Sequence, residues 1–395
     1  MADLPYSAKD KFWNSPAFRS VFFQVLILSI ILAAGWWLFS TTVHNLQSRG
    51  ITSGFGFLRR AAGFEIDFSL IPFNSSDSNG RVFWVGLLNT LFVSILGIFF
   101  ATVIGVTVGI ARLSHNWIIS KIATVYIETF RNIPLLLQIF FWYFAVLGAL
   151  PQIRQAMKNG LFSDTVFLSN RGIIVPKPIL ESAFMWVWLA LLVGIIASVF
   201  YRRYANKKQE RTGVQYPLLP VSIGLMIGLP VIAFVATGLP ISFDFPQIGR
   251  FNMQGGLTVI PEFLALLFAL SIYTGSFIAE IVRAGINSVS HGQTEAAHSL
   301  AIKPSLTLRL IIIPQALRVI IPPLASQYLN LAKNSSLAAA IAYPELVSVF
   351  SGTVLNNVGQ ALECVALTML AYLSISLSIA AFMNWYNKRM ALVER

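Results

Sequence analysis

Long apolar stretches alternate with shorter polar segments along most of the chain. A helix needs about 20 apolar residues to cross the hydrocarbon core of a bilayer, and eight stretches approach that length. They lie near residues 20–40, 84–110, 132–150, 182–200, 218–238, 259–282, 319–345 and 362–386. The pattern predicts an all-α fold, a polytopic transmembrane helix bundle of about eight spans.

Composition supports this prediction and excludes a set of ordinary soluble domains. The 395 residues are 56% hydrophobic and only 11% charged, whereas soluble domains carry roughly 25% charged residues. The first stretch is longer than the roughly 7–15 residues of a signal-peptide core, and no small-x-small cleavage site follows it. We therefore expect an uncleaved helix there. The single cysteine, Cys364, excludes an intramolecular disulfide.

The net charge of +12 would also suit a nucleic-acid-binding protein, but the basic residues lie between the apolar stretches. With the N-terminus in the cytoplasm, the inner segments hold 18 of the 28 Lys and Arg residues and the outer loops hold 9. This bias predicts that both ends are cytoplasmic. The sharpest basic cluster lies between Tyr201 and Tyr216. The outer loops near 41–83 and 151–181 are predicted to be irregular.

Small residues form one face of the second predicted span. Gly97, Ala101, Gly105 and Gly109 are spaced by four residues, which places them on the same side of a helix. Small side chains let another helix approach closely in lipid. The pattern supports a multi-helix bundle and carries no information about a substrate.

Polar side chains at membrane depth mark candidate functional positions. They are Glu128, Arg131 and Gln138 around the third span, Tyr273, Ser276 and Glu280 in the sixth, and Gln327, Asn330, Lys333, Asn334, Ser335 and Ser336 in the seventh. Such groups usually face a bundle interior or a water-filled path. For Glu128, Arg131 and Glu280, helix packing or snorkelling is an equal alternative. The seventh-span group predicts a translocation path. Pro134 is expected to break the third span. The seventh span is expected to begin with Pro322-Pro323 and to be interrupted at Asn334-Ser335-Ser336.

The polar segment from Arg283 to Arg318 predicts two short helices, with a turn at Lys303-Pro304 and a second helix that meets Pro314. A compact pair of helices of this kind suits a groove on a soluble partner. From these residues alone, a simple connecting loop is an equal alternative.

This segment resembles the EAA signature of permeases of bacterial ABC importers. The signature reads Glu-Ala-Ala, three residues, Gly, nine residues, Ile, one residue, Leu-Pro. The matching positions are Glu295, Ala296, Ala297, Ala301, Ile311, Ile313 and Pro314. Ala301 replaces the usual Gly and Ile313 replaces Leu. Alanine at the glycine position is expected to stiffen the turn.

Other stretches are similar to the polar and hydrophobic amino-acid permease branch. They are Asn89-Thr90, Gly109–Ser114, Glu128–Leu135, Ala279–Arg283 and Lys333–Leu337. Together with the EAA segment they cover roughly 84–150 and 258–387. The insertion at about 151–257, with two extra spans, resembles the larger permease subunit of general L-amino acid transporters (the Aap and Bzt type).

The resemblance implies a type I ABC importer permease-like core without a catalytic residue, metal or cofactor of its own. Glu295 to Ala301, with Lys303, Pro304 and Pro314, would couple to a separate ATP-binding subunit that holds ATP and Mg²⁺. The implied partners are a second permease subunit, two ATP-binding subunits and a periplasmic amino-acid-binding protein, in the bacterial inner membrane.

The resemblance also implies a division of the chain into five parts. These are an N-terminal part at 1–83, a first core part at 84–150, the insertion at 151–257, a second core part at 258–387 containing the coupling loop 283–318, and a tail at 388–395.

Two other classes of membrane protein fit the residues less well. A gradient-driven amino-acid transporter usually contains repeats with paired broken helices, and no repeat is visible. A membrane-embedded hydrolase needs a nucleophile with a base, or metal ligands, yet the chain contains neither His-Glu-x-x-His nor Gly-x-Ser-x-Gly. There is no Walker A sequence either, so a partner must supply any ATP chemistry.

Overall fold

The computed structural model describes residues 16–48, 50, 53–158, 160–161, 165–249 and 253–390, and these are mostly helical. The α-helices are α1 Pro16–Ser48, α2 Asn79–Arg112, α3 Trp117–Asn132, α4 Leu135–Phe140, α5 Ile153–Ala156, α6 Met185–Thr212, α7 Leu218–Ile223, α8 Leu229–Ala236, α9 Pro261–Asn287, α10 His291–Ser299, α11 Pro304–Thr307, α12 Ile313–Asn334, α13 Leu355–Val358 and α14 Ala361–Met390. π-helical turns lie at Phe141–Leu147, Gly224–Gly228, Leu308–Ile312 and Val347–Val354, and 3₁₀ turns at Phe55–Arg59, Ser182–Phe184 and Ser335–Ile341.

The predicted helix bundle is confirmed, with corrections to its third and seventh spans. Within the described ranges, seven helices are long and apolar enough to cross a membrane. The count rises to eight if α3 and α4, which meet at an angle of 106°, form one broken span. The break lies at Ile133-Pro134, where Ile133 is extended (φ −98°, ψ 127°) because a residue that precedes proline disfavours the helical region. The third predicted span, 132–150, therefore starts at a sharp bend.

Contacts divide the chain into two compact units, and the first comprises residues up to Phe92 together with Pro344–Trp385. Its buried core contains Phe57, Ala62, Val82, Leu346, Val349, Phe350, Val354, Cys364 and Ala371. The loop before α2 is ordered by specific bonds, since the Asn79 side-chain amide donates to the Phe57 carbonyl oxygen at 3.0 Å. This loop carries the 3₁₀ turn Phe55–Arg59, so the predicted irregular segment 41–83 is more regular than expected.

The second unit comprises Val93–Tyr343 and residues from Tyr386 onward, and α9 is its most buried long helix. The small-residue face of α2 packs here, as predicted. A Cβ atom added to Gly105 would lie 2.5 Å from the Ile278 side chain, and one added to Gly109 would lie 2.6 Å from the Ala279 carbonyl oxygen. These contacts are closer than any side chain tolerates, so glycine is needed for α2 to approach α9.

The insertion forms a helical hairpin flanked by short strands. Helix α6 packs against α7 and α8, with Gly194 close to the Leu225 carbonyl oxygen. The strands are β1 Phe167–Ser169, β2 Gly172–Val175, β3 Lys177–Leu180, β4 Ile241–Asp244, β5 Gln247–Ile248, β6 Met253–Gln254 and β7 Leu257–Val259. They pair antiparallel as β1-β2-β7, β3-β4 and β5-β6. The segment 151–181, predicted to be irregular, thus contains three strands.

Helix α12 corrects two expectations about the seventh span. Pro322 and Pro323 lie inside the helix and do not begin it. The interruption follows Asn334, where the chain changes to the 3₁₀ turn Ser335–Ile341 and then to left-handed backbone at Ala342 (φ 58°). In addition, the predicted second short helix is the first part of this span. Helix α11 continues through the π-helical turn Leu308–Ile312 into α12 without a gap, and Pro314 lies directly after that turn.

Candidate functional site

The EAA loop, residues 288–314, contains one separate short helix, α10. The Ser290 hydroxyl caps its N-terminus by accepting a hydrogen bond from the Gly292 N–H at 3.3 Å. Ala297 is buried against the rest of the loop, whereas Glu295 and Ala296 are exposed. The Glu295 carboxylate makes no hydrogen bond or ion pair with any described residue. One face of α10 thus anchors the helix, and Glu295 with Ala296 remains available to another molecule.

The end of α10 explains why its family signature has glycine at the position of Ala301. Ala301 has left-handed backbone, with φ 53°. Its N–H donates to the His298 carbonyl oxygen at 2.9 Å, and the Ile302 N–H donates to the Ala297 carbonyl oxygen at 3.0 Å. This pair of bonds is the Schellman motif, in which glycine is favoured because it has no Cβ. The loop keeps the turn despite alanine, so the substitution leaves the geometry of α10 intact.

The exposed surface beside α10 is partly apolar. Leu300 is 74% exposed, and Leu306, Leu310 and Lys303 are also exposed. Lys303 and Pro304 begin the next helix, with the Thr307 N–H donating to the Lys303 carbonyl oxygen at 3.0 Å. Contiguous exposed apolar side chains rimmed by polar ones are typical of a protein-binding surface.

A second group of predicted residues forms a cluster of ion pairs around Glu280. The Arg112 guanidinium donates to Glu280 at 2.6 Å and approaches Glu128 at 3.5 Å. Arg283, one turn after Glu280 on α9, donates to the same carboxylate at 2.5 Å. Arg131 lies 5.2 Å from the centre of the Phe277 ring, a favourable cation–π distance. Helices α2, α3 and α9 are therefore joined by charge at one end.

Two members of this cluster, Arg112 and Arg283, were not among the predicted site residues. Arg283 carries a usable signal, because it follows Glu280 by three residues and so shares its helical face. Arg112 carries none, since 168 residues separate it from Glu280 along the chain.

The polar group on α12 stands apart from the ion-pair cluster. Among the described residues, the side chains of Gln327, Asn330, Lys333 and Asn334 make no hydrogen bond or ion pair, and all four are exposed or half-buried. The side chains of the next two residues are engaged locally. The Ser335 hydroxyl donates to the Ala332 carbonyl oxygen, and the Ser336 hydroxyl donates to that of Lys333, each at 2.8 Å. Unpartnered polar groups on a helix long enough to span a membrane need water, a substrate or another subunit.

Other predicted polar residues have structural partners. The Gln138 side-chain amide donates to the carbonyl oxygens of Phe130 and Ile133, each at 2.9 Å, and so supports the bend between α3 and α4. Ser276 is buried, and its hydroxyl donates to the Tyr273 carbonyl oxygen. The Gln138 side-chain oxygen, by contrast, is buried without a hydrogen-bond partner among the described residues.

In the first unit, hydrogen bonds join Asn89 and Thr90 on α2 to the segment around Glu345. The sequence did not predict this connection. The Asn89 side-chain amide donates to the Pro344 carbonyl oxygen at 2.9 Å, and the Leu346 N–H donates to the Thr90 hydroxyl at 3.1 Å. The buried Glu345 carboxylate accepts bonds from the Val347 and Ser348 N–H groups and from the Tyr372 hydroxyl. Burial raises the pKa of Glu345, which lies in the connection between two spans, to about 7.

Comparison with known proteins places this arrangement in a family. Residues 212–392 match the family model described as "Binding-protein-dependent transport system inner membrane component". The general L-amino acid transport system permease protein AapQ of Rhizobium johnstonii is 52% identical over 96% of this chain and 94% of its own length. The chain belongs to the amino-acid ABC transporter permeases.

Further relatives cover this permease equally fully. The putative amino-acid ABC transporter permease protein YhdX of Escherichia coli is 54% identical, over 96% of each chain. The glutamate/glutamine/aspartate/asparagine transport system permease protein BztB of Rhodobacter capsulatus is 43% identical, over 96% of this chain and 95% of its own. Both matches include the insertion, so the helical hairpin and its strands lie within the region shared with these relatives.

Family membership settles the class of the permease. It is a multi-pass membrane protein and a transport subunit, not an enzyme, and ATP hydrolysis is carried by a separate subunit. Permeases of ABC importers work with ATP-binding subunits and substrate-binding proteins. The gradient-driven alternative is therefore set aside.

Proposed function

We propose that this permease forms half of the translocation path of an importer for L-amino acids in the bacterial inner membrane. Its partners are a second, different permease subunit, two ATP-binding subunits and a periplasmic amino-acid-binding protein. Both chain ends lie in the cytoplasm, as the distribution of Lys and Arg indicates. The names of the relatives support the substrate class, since AapQ and BztB belong to amino-acid transport systems.

The observation that carries the proposal is the exposed face of α10. Glu295 has no partner in the described part of the chain, and the neighbouring Leu300 exposes 74% of its surface. An amphipathic helix that presents one charge and one large apolar side chain suits a groove on a soluble protein. Closure of the ATP-binding subunits would then move α10 and, through α11, the span that follows.

The polar side chains of α12 support a translocation path along this helix. Gln327, Asn330 and Asn334 fall within about 60° of one another on a helix, at roughly 100° per residue, and Lys333 lies beside them. A lysine without a partner is costly in a bilayer unless it meets water or an anion. Lys333 and the amides offer a cation and hydrogen-bond donors, which suit the carboxylate of an amino acid. Glu128 and Glu280, which both pair with Arg112, and Arg131 beside the Phe277 ring would border the path.

Reversal of one charge tests the coupling role. In Glu295→Lys, we expect the ATP-binding subunit to be lost from the purified complex and uptake to fall to background. A positive charge would then face the groove, where it would be repelled or would lack a partner. The matched control is Glu65→Lys, which reverses an exposed charge in the loop before α2. The measurements are co-purification and amino-acid uptake into vesicles. Normal uptake by the Glu295 variant at wild-type protein levels would exclude the coupling role.

A further inference from the structure

Helix α6 continues beyond its apolar part as a basic helix. Its apolar residues end at Phe200, and the next twelve residues contain Arg202, Arg203, Lys207, Lys208 and Arg211 but only one acid, Glu210. At 1.5 Å per residue, Arg203 lies about 4.5 Å beyond Phe200. The head-group layer on each side of a bilayer is roughly 5–7 Å thick. Arg203 is therefore at head-group depth, and the flexible side chain of Lys207 reaches back toward the same layer.

The basic residues are not distributed evenly around α6. Arg203, Lys207 and Arg211 follow one another at intervals of four and share one face; we call them the basic stripe. The buried positions of the helix, Gly194, Ser198 and Ala205, lie roughly on the opposite side at about 100° per residue. The basic stripe therefore points away from the helices α7 and α8 against which α6 packs.

An exposed apolar surface leads directly to the basic stripe. Leu189, Val193, Ile196 and Phe200 lie on the same face of α6, and each is between 41% and 64% exposed. In the membrane this surface has the length and character of an acyl-chain contact. The helix thus presents apolar side chains followed by cations along a single line. These groups complement the acyl chain and the negatively charged phosphate of a phospholipid.

The two basic residues outside the stripe differ in their surroundings. Lys208 lies 5.6 Å from the centre of the Tyr204 ring and 5.1 Å from that of Tyr216, and its ammonium group donates to the Tyr204 hydroxyl at 3.3 Å. Arg202 lies on another face of the helix. By contrast, all three stripe residues are exposed, and none has a hydrogen bond or ion pair within the described ranges.

We propose that the exposed face of α6 binds an anionic phospholipid, with its phosphate at Arg203 and Lys207 and an acyl chain along Val193, Ile196 and Phe200. The negative head group supplies the charge that the basic stripe lacks, and the apolar face buries the chain. Clusters of basic residues directly beyond a span attract anionic lipids in this way. Tyr201 and Tyr204, at the same depth, suit the membrane interface.

The test compares two double variants of the full-length permease that remove equal charge from the same helix. Arg203→Gln/Lys207→Gln neutralises the basic stripe, and Arg202→Gln/Lys208→Gln neutralises residues outside it. Native mass spectrometry of the detergent-purified chain, titrated with phosphatidylglycerol and separately with phosphatidylcholine, measures lipid binding. Each basic residue near the surface contributes about fivefold to affinity, so the stripe variant is expected to bind phosphatidylglycerol about 25-fold more weakly.

The control variant is expected to retain most of the affinity for phosphatidylglycerol, and binding of phosphatidylcholine is expected to change little in either variant. Equal losses in both variants would overturn the proposal, because they would show diffuse attraction rather than a site. Unchanged lipid binding in the stripe variant would also overturn it. If that variant instead lost another subunit, the stripe would be a docking surface for an acidic protein. Lipid binding requires no transport, so this result is independent of the proposed function.

Discussion

The left-handed turn at Ala301 allows a quantitative prediction about the EAA loop. Ala301 has φ 53°, a conformation that costs roughly 1–2 kcal/mol for a residue with a Cβ. Replacement by glycine removes this cost but adds back about 0.5–1 kcal/mol of chain entropy in the opened state. We therefore expect Ala301→Gly to stabilise the end of α10 by about 0.5–1 kcal/mol, which lowers its opening equilibrium roughly two- to fivefold.

Hydrogen exchange of the intact permease measures this change directly. The N–H groups of Ala301 and Ile302 close the turn, so exchange of a peptide that covers them should slow two- to fivefold (about the same factor as the opening equilibrium) once intrinsic rates are corrected. Ala301→Val is the matched opposite change, because a β-branched side chain suits left-handed backbone even less. Its exchange should accelerate. Faster exchange in the glycine variant, or equal rates in all three proteins, would refute the left-handed turn as the source of strain.

Three further predictions concern packing, ionisation and substrate choice. Gly105→Leu should lower the unfolding temperature in detergent, because its Cβ would meet Ile278 at 2.5 Å, whereas Gly35→Leu, with nothing within 4 Å, should not. Glu345→Gln should raise stability at pH 8 but not at pH 4. The buried carboxylate has a folded pKa of about 7, so its charge destabilises the fold increasingly as the pH rises from about 4.5 toward 7; equal effects at both pH values would contradict this. Asn334→Leu should alter the profile of transported amino acids, and an unchanged profile across a substrate panel would return Asn334 to ordinary packing.

The sequence predicted the features that depend on local periodicity. Apolar length located the helices, and the four-residue spacing of Gly97 to Gly109 located the face of α2 that packs closely. The role of Pro134 was also readable, because proline acts on the residue before it. Its consequence was not, since an angle of 106° depends on what α3 and α4 pack against.

Features that depend on distant contacts were not readable from the sequence. Arg112 meets Glu280 across 168 positions, and Glu345 meets Tyr372 only after the chain has turned between two helices. The prolines of α12 led to a wrong prediction, because they were expected to mark the start of the span. Proline in a helix removes one hydrogen bond and bends the axis, but a membrane helix tolerates it when neighbouring groups compensate. Pro322 and Pro323 therefore remain inside α12.

The continuous helical path from Pro304 to Asn334 fixes the angular phase between the EAA loop and the polar face of α12. Over 31 residues this path is about 45 Å long. Because the helix is continuous, it transmits rotation about its axis as well as displacement. Any roll imposed beside α10 reaches Gln327 and Asn334 at the far end. Insertion of one residue between Pro314 and Gln327 would turn that face by about 100° relative to the loop. Each end would keep its own structure, but the polar face would no longer have its original orientation relative to the loop.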